Sequence, residues 1–203
     1  MGRTRRERLT REQVLVVPAT GRFDDVAAMV GPAQPGGPAC WCLSHRLLTA
    51  ELRDADGHER REEVMRELCA GPVPPGYLAY VDGEVAGWVG AAPRSSMSYV
   101  ERSSRLVRAH DDDAWVVICL RVRPPFRRRG LTTWLVEAVV EAAAEAGADA
   151  VEAYPVDPEG GRVDQSLAYV GLVGWFEDAG FERVLRTGAT SARLPRWLVR
   201  REL

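Results

Sequence analysis

An almost unbroken apolar run lies near the middle of the chain. It extends from Ala114 to Val122 and is rich in β-branched side chains, which is typical of a strand buried on both faces. Pro124 and Pro125 follow it. Because proline has no backbone N–H, the hydrogen-bond ladder to a neighbouring strand cannot continue there. The pattern therefore predicts a central strand that splays or bulges at its end.

A helix is predicted directly after this strand. Apolar residues recur at steps of three and four between Leu131 and Ala146, and Gly147 follows them. Arg129 and Gly130 precede the helix, and no Ser, Thr, Asp or Asn stands there to cap its first N–H groups. Those donors, the helix dipole and the arginines at 127 to 129 all favour a bound anion such as phosphate. Taken alone, the three arginines would favour a solvated basic turn; the strand before them and the helix after them favour the anion site instead.

Elsewhere, alternating and helical patterns predict a mixed α/β chain. Asp82 and Gly83 form a two-residue turn that closes a hairpin. The segment from Arg94 to His110 is less regular and is interpreted as a short helix or a flap. The other predicted elements are a strand at Val14 to Pro18, helices at Phe23 to Val30 and His58 to Ala70, the hairpin strands Tyr77 to Val81 and Glu84 to Ala91, a strand at Ala150 to Pro155, a helix near Leu172 to Ala179, a strand opening at Gly180 and Phe181, and a closing strand between Ser191 and Arg201.

Length and charge suit one domain spanning residues 1–203, with residues 1–12 as a flexible basic N-terminus. The 27 basic and 29 acidic residues nearly balance, so composition does not call for a nucleic acid or a membrane partner. No apolar stretch reaches the roughly 20 residues of a membrane span, and the polar start lacks the apolar core of a signal peptide. We therefore expect a cytoplasmic protein.

The cysteines do not indicate a metal site. Cys40 and Cys42 form one C-x-C pair, and Cys69 and Cys119 are distant from it, which does not match the paired C-x-x-C units of a zinc ribbon. We expect no metal.

The strand, loop and helix around Arg127 resemble the acyl-CoA-binding motif of the GCN5-related N-acetyltransferases (GNAT), whose signature is Gln/Arg-x-x-Gly-x-Gly/Ala. Here it runs Arg127-x-x-Gly130-x-Thr132, with Thr where a small residue is usual. About fifty residues later, Trp175 to Phe181 resembles the Phe-Tyr-Glu-x-x-Gly-Phe end of the family's last helix. The resemblance covers most of the chain. It implies an α/β (α+β) GNAT-like fold: a mixed, mostly antiparallel central sheet flanked by helices and splayed between its two central parallel strands.

The resemblance also implies acetyl-CoA as cosubstrate. Its pantetheine arm would pair with free backbone groups of Leu120 and Val122, and the Val122 N–H would stabilise the oxyanion that forms on the thioester. Because Phe176 occupies the position of the family's usual Tyr, Tyr169 is the candidate acid, with a packed loop tyrosine as the alternative. Residues implied in cofactor binding are Leu120, Arg121, Val122, Arg127, Arg128, Arg129, Gly130, Leu131, Thr132, Thr133 and Phe176.

The acceptor side is less defined. The segment from Cys40 to Arg46 resembles a Cys-x-Cys-x-x-x-Arg element of a bacterial branch of the superfamily. In this interpretation Trp41 forms the floor of the acceptor pocket, and Arg46 attracts a carboxylate or phosphate of the acceptor. The alternative is a buried turn with a surface Arg. Glu101, Asp113 and Asp157 are unranked candidates for the general base.

These expectations together indicate an N-acetyltransferase that moves an acetyl group to a primary amine, in a small molecule first and in a peptide or protein N-terminus second. The main alternative is a catalytically weak or inactive acyl-CoA-binding regulatory domain, since fold does not prove activity. A nucleic-acid-binding role ranks third, because the arginine cluster has no interleaved aromatics. Exposed edge strands are compatible with a homodimer.

Overall fold

The computed structural model describes residues 7–34, 37–54, 58–161, 163, 169–191 and 193–203. In these residues, seven strands form one sheet in the order β1-β2-β3-β4-β5-β7-β6. The strands are β1 (Val14–Pro18), β2 (Gly76–Val81), β3 (Glu84–Pro93), β4 (Trp115–Val122), β5 (Ala150–Ala153), β6 (Glu182–Ser191) and β7 (Leu194–Glu202). The helices are α1 (Phe23–Val30), α2 (Thr49–Asp54), α3 (His58–Ala70), α4 (Ser98–Arg102), α5 (Leu131–Glu145) and α6 (Val173–Glu177).

The sheet opens between its two central parallel strands. All other neighbouring strands pair antiparallel, whereas β4 and β5 run parallel and pair only from Trp115 with Val151 to Val117 with Ala153. Strand β4 continues to Val122 after β5 has ended. The predicted fold class, including the splay, is therefore confirmed.

Two apolar layers cover the sheet. On one face, α5 places Leu135 and Val139 in a cluster with residues of β4 such as Val117. On the other face, Val26 of α1 and Met65 of α3 belong to a second cluster. Full burial of a large apolar side chain stabilises a fold by about 1.5–3 kcal/mol, so these layers hold α5 and the loop before it in a fixed position against β4.

The turns follow the predicted chemistry. Asp82 and Gly83 have φ values of 52° and 79°, as a type I′ hairpin turn requires. At the end of α6, Gly180 has a φ of 78°, its N–H donates to the Glu177 carbonyl at 3.0 Å, and the Phe181 N–H donates to the Phe176 carbonyl at 2.9 Å. This is the left-handed glycine cap expected before Phe181.

Several elements differ from the sequence-based expectation. Helix α2 was not predicted, and the strand expected to reach Pro155 ends at Ala153, before a proline that cannot donate to the ladder. Helix α6 is shorter than expected. The irregular segment after β3 contains the short helix α4, and the hairpin's second strand extends to Pro93.

Part of the expected flexible N-terminus is ordered. Residues 1–6 lie outside the described part of the chain, but Leu9 is buried and residues Arg11–Gln13 form a 3-10 turn. In the described ranges no helix has both the length and the apolarity needed to cross a membrane.

Candidate active site

The loop between β4 and α5 has the backbone of an anion site. Arg128 and Gly130 take left-handed conformations, with φ values of 61° and 83°. Gly130 is the N-cap residue of α5, and no side chain caps the helix there. The Thr133 N–H donates to the Gly130 carbonyl at 3.1 Å, whereas the N–H groups of Leu131 and Thr132 are directed out of the helix, at the positive end of its dipole.

Arginine side chains surround this helix end. Nε of Arg127 donates to the Val122 carbonyl at 2.9 Å, and Nε of Arg129 donates to the Glu7 carbonyl at 3.2 Å. The first bond holds the Arg127 side chain to the end of β4, and the second holds the Arg129 side chain to the N-terminal segment. The helix dipole and the guanidinium groups act on the same point, which favours a phosphate ligand.

A further arginine, Arg8, joins this loop, and sequence reasoning missed it. The Leu9 N–H donates to the Arg129 carbonyl at 2.9 Å, which lays the N-terminal segment along the loop. A Cβ atom built on Gly130 would lie 3.4 Å from Nη2 of Arg8, so the guanidinium of Arg8 is beside the glycine. No local pattern could indicate a contact between residues so far apart in sequence.

The edge of β4 that faces the splay is partly occupied. The Leu120 N–H donates to the Tyr169 carbonyl at 2.6 Å, because the turn before α6 passes across the gap. We expected the Leu120 N–H to be free to bind pantetheine, but in this structure it already donates to the turn. Without that bond the N–H would be buried with no hydrogen-bond partner. Val122 lies two residues on, so its N–H and C=O point to the same edge.

Phe176 lies in the core rather than on the surface of the groove. It has no exposed surface, and its ring meets that of Phe181 edge to face at 5.2 Å between centroids. A Cβ atom on Gly171 would lie 3.0 Å from Phe176 and 3.3 Å from Leu120, so the turn packs closely over both. Of the remaining implied cofactor residues, Leu131 is buried, Thr132 and Thr133 are half-buried, and Arg121 is exposed.

A cavity of about 140 Å³ lies beside the splay. Most of its apolar wall belongs to the cluster on the α1 face, opposite α5. It is lined by His45, Tyr99, Val100, Arg105, Leu106, Val117, Ile118, Tyr154, Tyr169, Val170, Ala189, Thr190 and Arg196. Of the residues selected from the sequence as site residues, only Tyr169 lines it.

Tyr169 and His45 form a hydrogen-bonded pair in this cavity. The Tyr169 hydroxyl lies 3.1 Å from Nε2 of His45, and their rings meet edge to face at 5.2 Å. Burial, helped by the charge of Arg196, lowers the pKa of His45 to about 4. Burial also raises the pKa of Tyr169. Near neutral pH both groups are therefore uncharged, and the hydroxyl keeps the proton that a general acid must deliver.

Trp41 and Arg46 lie away from the cavity, contrary to the roles expected for them. Trp41 is buried and stacks on Phe23 with ring centroids 5.7 Å apart. Arg46 is buried, donates through Nη2 to the Pro75 carbonyl, and its Nε has no hydrogen-bond partner among the described residues. Burial lowers the pKa of Arg46 to about 10. The turn directs Arg46 into the protein and its neighbour His45 into the cavity.

The three carboxylates considered as bases are engaged elsewhere. Glu101 pairs with Arg108, Asp157 pairs with Arg183 at 2.6 Å, and Asp113 accepts from the Ser95 N–H at 2.8 Å. None of them lines the cavity. Across the described ranges, no group of three His, Cys, Asp or Glu residues is arranged to hold a metal ion.

Comparison with known proteins agrees with this geometry. The model of the acetyltransferase (GNAT) family matches residues 45–160, which is more than half of the 203 residues and includes the loop at 127–132. No curated protein sequence matches the chain significantly.

Solved structures share the fold at low sequence identity. Drosophila melanogaster polyamine N-acetyltransferase is 14% identical with a TM-score of 0.56, over 94% of this chain and 100% of that one. The aminoglycoside acetyltransferase AAC(6')-Ib with coenzyme A is 16% identical with a TM-score of 0.54, over 93% and 94%. Arabidopsis thaliana NAA60 with acetyl-CoA is 15% identical with a TM-score of 0.51, over 94% and 99%. These structures show the shared fold, and the family match shows that the chain belongs to the acetyltransferase (GNAT) family.

Proposed function

We propose that this protein transfers an acetyl group from acetyl-CoA directly to a primary amine of a small molecule. The observation that carries this proposal is the opening of the sheet between β4 and β5: the arginine-glycine loop follows the end of β4, and the cavity lies beside Val117 and Ile118, where the pairing of the two strands ends. Cofactor and acceptor would thus meet at the gap between β4 and β5. The nitrogen of the uncharged amine attacks the thioester carbon, and the carbon–sulfur bond breaks. The nitrogen loses one proton as the amide forms and the sulfur gains one, so CoA leaves as the thiol.

The pyrophosphate of CoA is assigned to the loop. The N–H groups of Leu131 and Thr132 and the guanidinium groups of Arg127, Arg128 and Arg129 would hold it, and the hydroxyls of Thr132 and Thr133 could add contacts. Arg8 adds a further positive charge beside Gly130. The pantetheine arm would then run along β4 beyond the bond between Leu120 and Tyr169, where it would meet the Val122 N–H.

Rate enhancement would come from position and from two specific groups. Aligning amine and thioester contributes up to ~7–11 kcal/mol in well-oriented reactions. The Val122 N–H would stabilise the oxyanion, an effect on the order of 3 kcal/mol for one fixed donor. Tyr169 would protonate the leaving thiolate, with its hydroxyl held by His45.

Two observations support a small acceptor. The cavity of about 140 Å³ is below the roughly 300–1,000 Å³ of sites for drug-sized ligands. Two structural relatives are described as acting on amines of small molecules: AAC(6')-Ib as an aminoglycoside acetyltransferase, and the Drosophila enzyme as forming N-acetylagmatine.

A second candidate function is acyl-CoA binding without significant turnover. It is favoured by Phe176, which has no hydroxyl at the position of the family's usual acid, and by the Tyr169 carbonyl on the Leu120 N–H. Either feature would slow transfer without preventing the loop from holding a pyrophosphate.

Thermal unfolding followed by turnover separates the two candidates. A ligand at 100 times its Kd stabilises a protein by about 2.7 kcal/mol, so acetyl-CoA and CoA should both raise Tm. Pantetheine, which lacks the pyrophosphate, should raise it much less. Release of CoA thiol in the presence of one or more small primary amines would support the transferase. Stabilisation without release on any amine would favour the binding domain, and no stabilisation would contradict both.

A further inference from the structure

The walls of the cavity carry positive charge without a compensating carboxylate. Its described lining contains two arginines, Arg105 and Arg196, and no Asp or Glu. His45 does not add a charge near neutral pH, because burial and Arg196 lower its pKa to about 4. The remaining polar side chains are the hydroxyls of Tyr99, Tyr154, Tyr169 and Thr190.

Arg196 is the central charge of this arrangement. It is 3% exposed, its Nη1 donates to the Tyr154 carbonyl at 2.6 Å, and its guanidinium lies over the Tyr169 ring at 4.9 Å from the centroid. Burial lowers its pKa, and the opposing interactions come from tyrosines rather than from a carboxylate. Burying a cation in this way is costly unless an anion joins it.

Two other buried arginines are paired with carboxylates, whereas Arg46 has no ion pair among the described residues. Arg94 contacts Glu152 at 2.9 Å, and Arg200 contacts Asp112 at 2.5 Å. Arg196 lies on β7, the strand that also carries Arg200, yet among the described residues it forms no ion pair and faces the cavity instead. Among the described residues, Arg196 is thus a guanidinium without a carboxylate partner where the acceptor is expected, and a second arginine, Arg105, lies at the exposed side of the same cavity.

We propose that the acceptor carries a carboxylate close to its primary amine, so that the substrate class is that of small amino acids; this inference rests on the proposed function. Arg196 binds the carboxylate through its planar fork, a geometry that suits carboxylates in particular. Arg105 strengthens the binding from the cavity entrance. Polyamines and other polycationic amines are disfavoured, because their additional positive charges would be repelled by the two arginines that line the cavity.

The test is calorimetric binding to the CoA-saturated protein. Alanine, serine and β-alanine are each compared with the corresponding carboxamide, which keeps the amine and removes the negative charge, and agmatine serves as the cationic probe. Loss of a hydrogen bond to a charged group should make the carboxamides bind about tenfold or more weakly. Equal affinity within the pairs, or tighter binding of agmatine, would overturn the inference.

Substitution assigns the preference to these arginines. Arg105→Gln should reduce the affinity ratio between carboxylate and carboxamide, and Arg196→Gln should abolish it. Arg102→Gln is the matched control, because Arg102 is an exposed arginine of α4 that does not line the cavity. If Arg196→Gln fails to fold, Arg105→Gln still tests the proposal, because Arg105 is exposed and its substitution should not disturb the fold. An unchanged affinity ratio between carboxylate and carboxamide in Arg105→Gln would contradict the assigned site.

The binding experiment and the turnover experiment can fail independently of each other. Absence of thiol release with every amine of the panel would argue against the transferase, whereas the binding ratio measured with CoA decides the acceptor class without any turnover.

Discussion

The hydroxyl of Tyr169 lies 3.1 Å from Nε2 of His45, although 124 positions separate the two residues in sequence. The contact joins the turn before α6 to the segment before α2, on either side of the cavity. It orients the one tyrosine hydroxyl that the sequence suggested as an acid. Because the pKa of His45 is low and that of Tyr169 is raised, the pair stays neutral and keeps its proton on the phenol near neutral pH.

Tyr169→Phe tests the acid directly. The variant should lower kcat by about a hundredfold or more, the lower range for a positioned general acid. The Kd for acetyl-CoA should change little, because the backbone bond from Leu120 to residue 169 does not depend on the hydroxyl. Stopped-assay kinetics and calorimetry measure the two quantities. Full activity in Tyr169→Phe would remove Tyr169 from the mechanism.

His45 should make the fold sensitive to mild acid. Its pKa is about 4 in the folded protein and 6.5 without perturbation, so between these values the unfolded chain binds more protons. Stability should therefore be complete above about pH 6.5 and should fall as the pH drops towards 4, by up to about 3 kcal/mol from this group.

Urea unfolding from pH 7.5 to 4 measures this dependence. His45→Gln should flatten the acid limb relative to wild type. Parallel curves for wild type and His45→Gln would show that His45 is not the cause.

Gly130→Ala tests the loop conformation. A left-handed backbone costs a residue with a side chain about 1–2 kcal/mol, and the added Cβ would also face Arg8. Gly147→Ala is the matched control: this glycine follows the other end of α5, has a φ of 75°, and a Cβ there would meet nothing within 4 Å. Both variants should lose similar stability by urea unfolding. Only Gly130→Ala should weaken acetyl-CoA binding, and equal affinities for the two would contradict the assigned site.

Arg8→Gln tests the contribution of the N-terminal segment. Because Arg8 is exposed, its loss should weaken acetyl-CoA binding only about two- to fivefold, and less at high salt. Arg22→Gln, at an exposed arginine that lies over the Tyr80 ring of β2, serves as control. Calorimetry at two salt concentrations measures both. An effect of the same size in the control would mean that Arg8 acts only through net charge.

The fold could be predicted from the sequence because its main signals are local. The β-branched run into Val122, the helical period from Leu131 and the Asp82-Gly83 turn each determine their structure through neighbouring residues. The loop at Arg127 could be identified because its glycine and arginines are consecutive.

The acceptor side could not be predicted in the same way. His45, Tyr169 and Arg196 come from segments that are far apart in sequence, and only the folded protein brings them to one cavity. The turn before α2 decides which of the neighbours His45 and Arg46 faces the cavity, and no sequence pattern predicted α2. The hydrogen bond from the Leu120 N–H to the Tyr169 carbonyl could not be predicted either, because it joins two backbone groups and does not depend on the side chains.

Calorimetric titration of acetyl-CoA into wild type and into the double variant Arg127→Glu and Arg129→Glu tests the central claim, that this loop holds the CoA pyrophosphate. A second double variant, Arg186→Glu and Arg193→Glu, makes the same change of net charge at exposed positions of β6 and the turn after it. The account predicts that the loop variant loses affinity by about a hundredfold or more, as expected when charge-assisted hydrogen bonds become repulsive contacts, while the control binds as wild type does. Unchanged affinity in the loop variant would contradict it.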